Sequence, residues 1–216
     1  MNTSRQRAFR AASHFGLGPK NLSELDAIAS DPMAWLEQQL QTQQVLPREL
    51  ESIQSSAHYL AEVRNAMSER RSRKKNNRKN NRKNRRADPQ SDDMSSQKAL
   101  KSTAQEHFAL RLQAALHSKQ PFRERLVQFW SNHFTISSVG KKQLAIAAVP
   151  FENETMRRHL NGSFKDLLIA VEQHPVMLVY LDNVRSIGPD SRIGQRRKRG
   201  LNENLAREIL ELRPVG

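Results

Sequence analysis

The residues whose types and spacing could support chemistry fall into two short stretches. The first is PFRERLVQFWSNHF, residues 121–134. At about 100° per residue, a helix here places Phe122, Leu126, Phe129 and His133 on one stripe, beside Trp130 and Phe134. An imidazole on an apolar face needs a partner for each ring nitrogen. It is therefore either a core histidine, bonded to a backbone carbonyl and a polar neighbour, or a metal ligand or general base with Asn132 next to it.

The second stretch is RGLNENLAREILELRPVG, residues 199–216. As a helix it carries Leu201, Leu205, Ile209 and Leu212 on one face. Glu203, Arg207 and Glu211 follow at i, i+4 on the opposite side, where a solvated salt-bridge ladder is expected. Asn204 and Glu208 lie nearer the apolar edge. Glu208 is expected to be partly buried, either paired with an arginine or serving as the carboxylate with a perturbed pKa. Asp182 ends an apolar helix, where it opposes the macrodipole and needs an arginine or a bound cation. The catalytic candidates are thus His133, Glu208, Asn132 and Asn204. The metal-ligand candidates are His133, Asp182, Glu203 and Glu208. No cofactor or metal identity follows from either set. His159 and His174 read as caps or boundary residues.

The commonest catalytic signatures are absent: no Ser-His-Asp order, HExxH, Walker loop or paired-glycine fingerprint occurs. With no cysteine there is no disulfide, no thiolate catalysis and no Cys-based zinc site. The net charge of +14 points towards polyanions. Yet eleven of the cations lie in RRSRKKNNRKNNRKNRR: Arg70, Arg71, Arg73, Lys74, Lys75, Arg78, Lys79, Arg82, Lys83, Arg85 and Arg86. The rest of the chain carries only about +3, an ordinary surface. The run contains no aromatic residue on which bases could stack, so any contact with nucleic acid or an acidic surface would be weak, salt-sensitive and indifferent to sequence.

The elements that must position these residues are helical. Residues 3–15 are periodic and stop at Gly16, a candidate helix-ending glycine. Asn21 with Glu24 starts a helix near Leu22, and Asp31-Pro32 starts another. Residues 48–68 pattern as a further helix, with Leu50, Ile53, Ala57, Leu60 and Val63 near one face. Residues 70–97 read as an exposed, partly disordered insertion whose basic part extends the preceding helix. The pattern returns from Lys98 to Leu116. Pro121 opens a helix through His133, Ser163 with Asp166 caps another, and Pro175 starts an apolar, buried one. Only Thr135–Val149 offers a short extended piece. The fold class is mainly α, with little or no β. Its segments are 1–69, the insertion 70–97, and 98–216 as part of the same domain. Hydrophobic content of 37% is consistent with part of the chain lying outside the core. No signal peptide or membrane-spanning run is evident, so the expectation is a cytoplasmic protein.

In order along the chain, HFGLGP, FRERLVQFWSNHFTIS, FENETMRRHLNGSFKDLLIAVEQHPVMLVYLDN, SIGPDSRIG and RGLNENLAREILEL resemble a bacterial family, domain of unknown function 1800. The resemblance implies a mainly helical bacterial protein whose activity has not been established. It also implies that LEL continues into His-Thr-Leu-Gly and a long further region. Here Arg213-Pro214-Val215-Gly216 follows instead, so the expectation is the N-terminal portion of a truncated member. Three functional readings stand: a non-catalytic helical protein in which Asn132, His133, Asn204 and Glu208 form a buried polar network; a metal-dependent or acid/base hydrolase when intact; and a weak polyanion binder through Arg70–Arg86.

Overall fold

The computed structural model describes residues 3–41, 46–80, 90–137, 141–198 and 200–211. Among them every regular element is helical and no strand occurs. The expected extended piece is a 3-10 turn at Lys142–Ala147. Arg82, Lys83, Arg85, Arg86 and Leu212 lie outside the described residues, as do the side chains of Arg73, Lys74, Arg78 and Lys79.

Three short helices open the chain: α1 (Thr3–Phe15), α2 (Leu22–Ser30) and α3 (Pro32–Gln41). Their starts are local events. Asn21 accepts the Glu24 N–H at 2.8 Å, and Asp31 accepts those of Met33 and Ala34 at 3.0 Å. Each bond satisfies donors that a helix N-terminus leaves free. The glycine that takes the left-handed conformation after α1 is Gly18, at φ 90°, not Gly16. Gly16 is held by space instead: a Cβ there would lie 2.8 Å from the Ala12 carbonyl oxygen and 3.3 Å from the Trp35 ring. Ala8, Ala11, Ala12, Leu25 and Ile28 form a small core of their own.

The helix expected from residue 48 starts later. A 3-10 turn occupies Arg48–Leu50, and α4 runs Ser56–Asn80, so the first part of the basic run does continue the helix. Its partner α5 spans Gln90–His117. Then come α6 (Pro121–His133), α7 (Ala148–Glu152), a π-helical segment at Asn153–Arg157, α8 (Phe164–Glu172), α9 (Pro175–Tyr180), α10 (Arg192–Arg197) and α11 (Asn204–Glu211). The main core gathers Tyr59 and Val63 of α4, Ala104 of α5, Phe134, Ile146, Phe151, Met156, Leu167, Val171, Val176 and Met177. The N-terminal helices attach to it through α6. Phe15 meets Phe122 edge-on at 6.3 Å, and Gln39 accepts the Phe122 N–H at 2.9 Å. The buried Arg123 reaches the Gln39 carbonyl and the Asn161 side chain.

The orientation of α6 departs from the expected one. Pro121, Arg123, Glu124 and Val127 face inward, with Phe134 just beyond the helix, while Phe129 is 58% exposed. The buried stripe is rotated by roughly 140° from the one through Phe122 and His133. Local hydrophobicity favoured the wrong side because the structure buries a charged residue, Glu124, against an arginine 33 positions away.

Candidate functional site

Among the described residues, no hydrogen bond or ion pair joins the sequence candidates to one another. His133 and Asn132 are exposed, with His133 lying edge-on to Trp130 and Phe134. Glu203, Asn204 and Glu208 are exposed too, against the expectation of a half-buried Glu208. These four residues, Asn132, His133, Asn204 and Glu208, therefore form no buried network. Among the described residues, Glu203, Arg207 and Glu211 form no ion pair, so the expected ladder is absent. The rings of Trp130 and Phe134 pack against Phe164, the first residue of α8. Glu208 acts electrostatically on Glu172, the last residue of α8. Eight steps of helix at 1.5 Å each hold those two ends roughly 12 Å apart. Asp182 has its compensating cation from an unexpected source. Lys141 Nζ lies 2.9 Å from its carboxylate and donates to the Val179 and Tyr180 carbonyls, while Arg185 approaches at 3.4 Å. Lys141 thus caps the C-terminus of α9 with positive charge, as the macrodipole favours. No group of three or more His, Asp or Glu among the described residues is arranged to hold a metal ion.

The buried polar groups are other residues. Arg157 donates twice to Glu124, at 2.7 and 2.9 Å, and once to Glu152 at 3.1 Å. Glu152 also accepts from Arg111 Nε and Ser131 Oγ, each at 2.7 Å. Two arginines and two glutamates make the group neutral. Burial alone would lower the Arg157 pKa; the hydrogen bonds and charge of Glu124, then Glu152, overcome it and raise the pKa. Beside Arg157, burial pulls the Arg123 pKa down. The π-helical turn brings the pair together. Five residues in an α-helix put two side chains about 140° apart, whereas i→i+5 bonding sets residue 157 above residue 152.

His107 plays the role first considered for His133. It is 3% exposed, its Nδ1 lies 3.0 Å from the Ile146 carbonyl, and its Nε2 lies 3.1 Å from the Tyr59 hydroxyl. The carbonyl can only accept, so Nδ1 carries the proton and Nε2 accepts from Tyr59. Burial lowers its pKa. Leu100, Ala104, His107, Arg111 and Ala114 recur at alternating steps of four and three, so a polar residue within that stripe was the available signal for both His107 and Arg111.

Ser56, His174 and Glu154 lie together in an arrangement that looks like a hydrolytic triad. The bonding excludes that chemistry. Glu154 accepts from the Ser56 N–H at 2.8 Å and from its hydroxyl at 2.6 Å, serving as the N-terminal anion of α4. His174 caps α9 by accepting the Val176 N–H on Nδ1, so Nε2 bears the proton and donates to Glu154 at 2.8 Å. No bare imidazole nitrogen faces Ser56, and Ser56 is 2% exposed. Burial would raise the Glu154 pKa, but the bonds from His174 and Ser56 outweigh it and lower the pKa. His159 bonds the Thr155 carbonyl through Nδ1 at 3.0 Å.

A cleft of about 800 Å³ opens beside these groups, between the 46–55 loop, the start of α6 and the π-helical segment. Its charged lining is Lys119, Arg123, Arg157 and Arg158 against Glu124 and Glu154. Both carboxylates are already engaged, whereas the exposed Lys119 and Arg158 form no ion pair among the described residues. The cleft therefore has an excess of positive charge at its rim. No signal in a single sequence marked it, because its walls come from segments about 100 residues apart.

No described helix is long and apolar enough to cross a membrane. No curated protein and no solved structure matches the chain. A family model described as "Protein of unknown function (DUF1800)" matches residues 10–216, and the chain belongs to that family.

Proposed function

We propose that this chain is a non-catalytic helical binding protein whose cleft between the 46–55 loop, α6 and the π-helical segment takes a small anionic ligand. One observation carries this reading: four cations line the cleft against two carboxylates, and both carboxylates are bonded to the protein. The volume suits a small molecule. The exposure of His133 and Glu208, which share no hydrogen bond or ion pair among the described residues, and the burial of Ser56 support a binding role over hydrolysis. The packing of α4 into the same core as α5–α9 supports treating the segments on both sides of the insertion as one domain.

The test is titration with inorganic phosphate and with succinate, followed by backbone amide shifts. Shifts are expected at residues 118–124 and 153–158. They should vanish in the double variant Lys119→Glu/Arg158→Glu and persist when the Lys and Arg residues of 70–86 are replaced by Gln. Shifts confined to the basic run would overturn the cleft and favour the polyanion reading, for which the exposed Arg71 and Lys75 of α4 supply the described surface.

A further inference from the structure

Among the described residues, Glu172 is the buried carboxyl group with no hydrogen-bond partner. It is 7% exposed, and both carboxyl oxygens are buried without a hydrogen-bond partner. A carboxylate taken from water with no donor to receive it carries a large desolvation cost, which a proton removes. It also ends α8, where negative charge opposes the helix dipole.

α11 reaches the same core as α8. Leu205 packs against the main core cluster, of which Leu167 and Val171 are the buried α8 members, Val171 immediately preceding Glu172. Glu208, one turn after Leu205, brings a second negative charge to bear on Glu172. The rest of α11 is only lightly held: Leu210 is 64% exposed, and the preceding Leu201 is 70% exposed.

We propose that α11 is a proton-linked cap, seated on the body while Glu172 is neutral and loosened when Glu172 ionises. The surroundings offer no charge to rescue the ionised form. On α8, Lys165 and Asp166 lie at the opposite end. On the π-helical segment, Glu154 is held by Ser56 and His174, and Arg157 by Glu124 and Glu152. His174, two residues on, is committed to Val176 and Glu154, and α9 has no Asp, Glu, Lys, Arg or His. On α11 the charged residues are Arg207, Glu208 and Glu211, and of these Glu208 raises the Glu172 pKa.

Burial first, and Glu208 second, push the Glu172 pKa from 4.5 to about 7 with α11 in place. Lifting α11 returns it towards the ordinary value. Seating is therefore strongest below about pH 4.5, weakens about tenfold per pH unit up to about pH 7, and levels off above it. The span is at most on the order of 300-fold, the limit in which the entire shift is lost with α11.

The experiment is amide hydrogen exchange of the full chain from pH 5 to 8, corrected for intrinsic rates. Protection of the Asn204–Glu211 amides should fall by as much as about 40-fold between pH 5 and 7 and then flatten, while the α6 amides do not follow. Glu172→Gln should flatten the α11 profile. Equal loss of protection in α6 and α11 would mean general opening and would overturn the proposal, as would a wild-type profile in Glu172→Gln. Should that variant fail to fold, Glu208→Gln decides: a smaller fall that ends at lower pH supports the link, and an unchanged profile refutes it.

Discussion

Replacing Arg157 by leucine tests whether the buried charges hold the fold as a set. The consequences are unequal for its two partners. Glu152 keeps Arg111 Nε and Ser131 Oγ at 2.7 Å each. Glu124 loses both of its bonds, and its neighbour Arg123 is committed to Gln39 and Asn161. Glu124 is 5% exposed, so its carboxylate would be stranded. Orphaning one member of a buried pair costs about 3–5 kcal/mol, which is a large share of a domain's total stability of about 5–15 kcal/mol. Glu124→Leu should cost less, about 1–3 kcal/mol, because Arg157 retains Glu152. The double variant Arg157→Leu/Glu124→Leu should be more stable than Arg157→Leu alone, since both charges leave together. Urea unfolding, read by far-UV circular dichroism and by the fluorescence of Trp35 and Trp130, measures all three. A loss below about 1 kcal/mol, or a double variant as unstable as the summed singles, would refute the reasoning.

Three further outcomes are expected. Tyr59→Phe leaves His107 Nε2 buried without a donor and should cost about 1–3 kcal/mol in the same unfolding assay. Because burial holds the folded His107 pKa below 6.5, its contribution is present above about pH 6.5 and is lost on acidification. Thermal melts across pH 5–7 should show that dependence, and His107→Gln should reduce it. Gly16→Ala forces a Cβ to within 2.8 Å of the Ala12 carbonyl and against Trp35 and Pro121, so it should destabilise by about 1–3 kcal/mol and alter Trp35 emission.

Helix starts were legible because their causes are local. Asn21, Asp31 and Ser163 each accept an N–H two or three positions away, and Pro121 and Pro175 stand in the first turn of their helices. The all-helical class followed from the same patterns. Which face each helix turns inward was less legible. For α6 the deciding partner, Arg157, belongs to another element, and hydropathy assigns Glu124 to solvent. For α11 the apolar periodicity is real, yet among its described residues only Leu205 packs on the main core, leaving Glu208 exposed. His174 and Asp182 were read correctly as a cap and as a charge needing compensation. Lys141, 41 residues before Asp182, carried no signal of its role.

The π-helical turn at Asn153–Arg157 has a consequence for how this chain can change over generations. Substitutions within the turn leave its register intact, whereas losing a single codon would return it to ordinary helix geometry. Every side chain beyond the deletion would swing by about 100° relative to those before it. Arg157 would leave Glu152, and Glu154 could not remain opposite both Ser56 and His174. Length is therefore under tighter restraint here than residue identity, and relatives that differ at many positions should still count the same number of residues between Glu152 and Arg157.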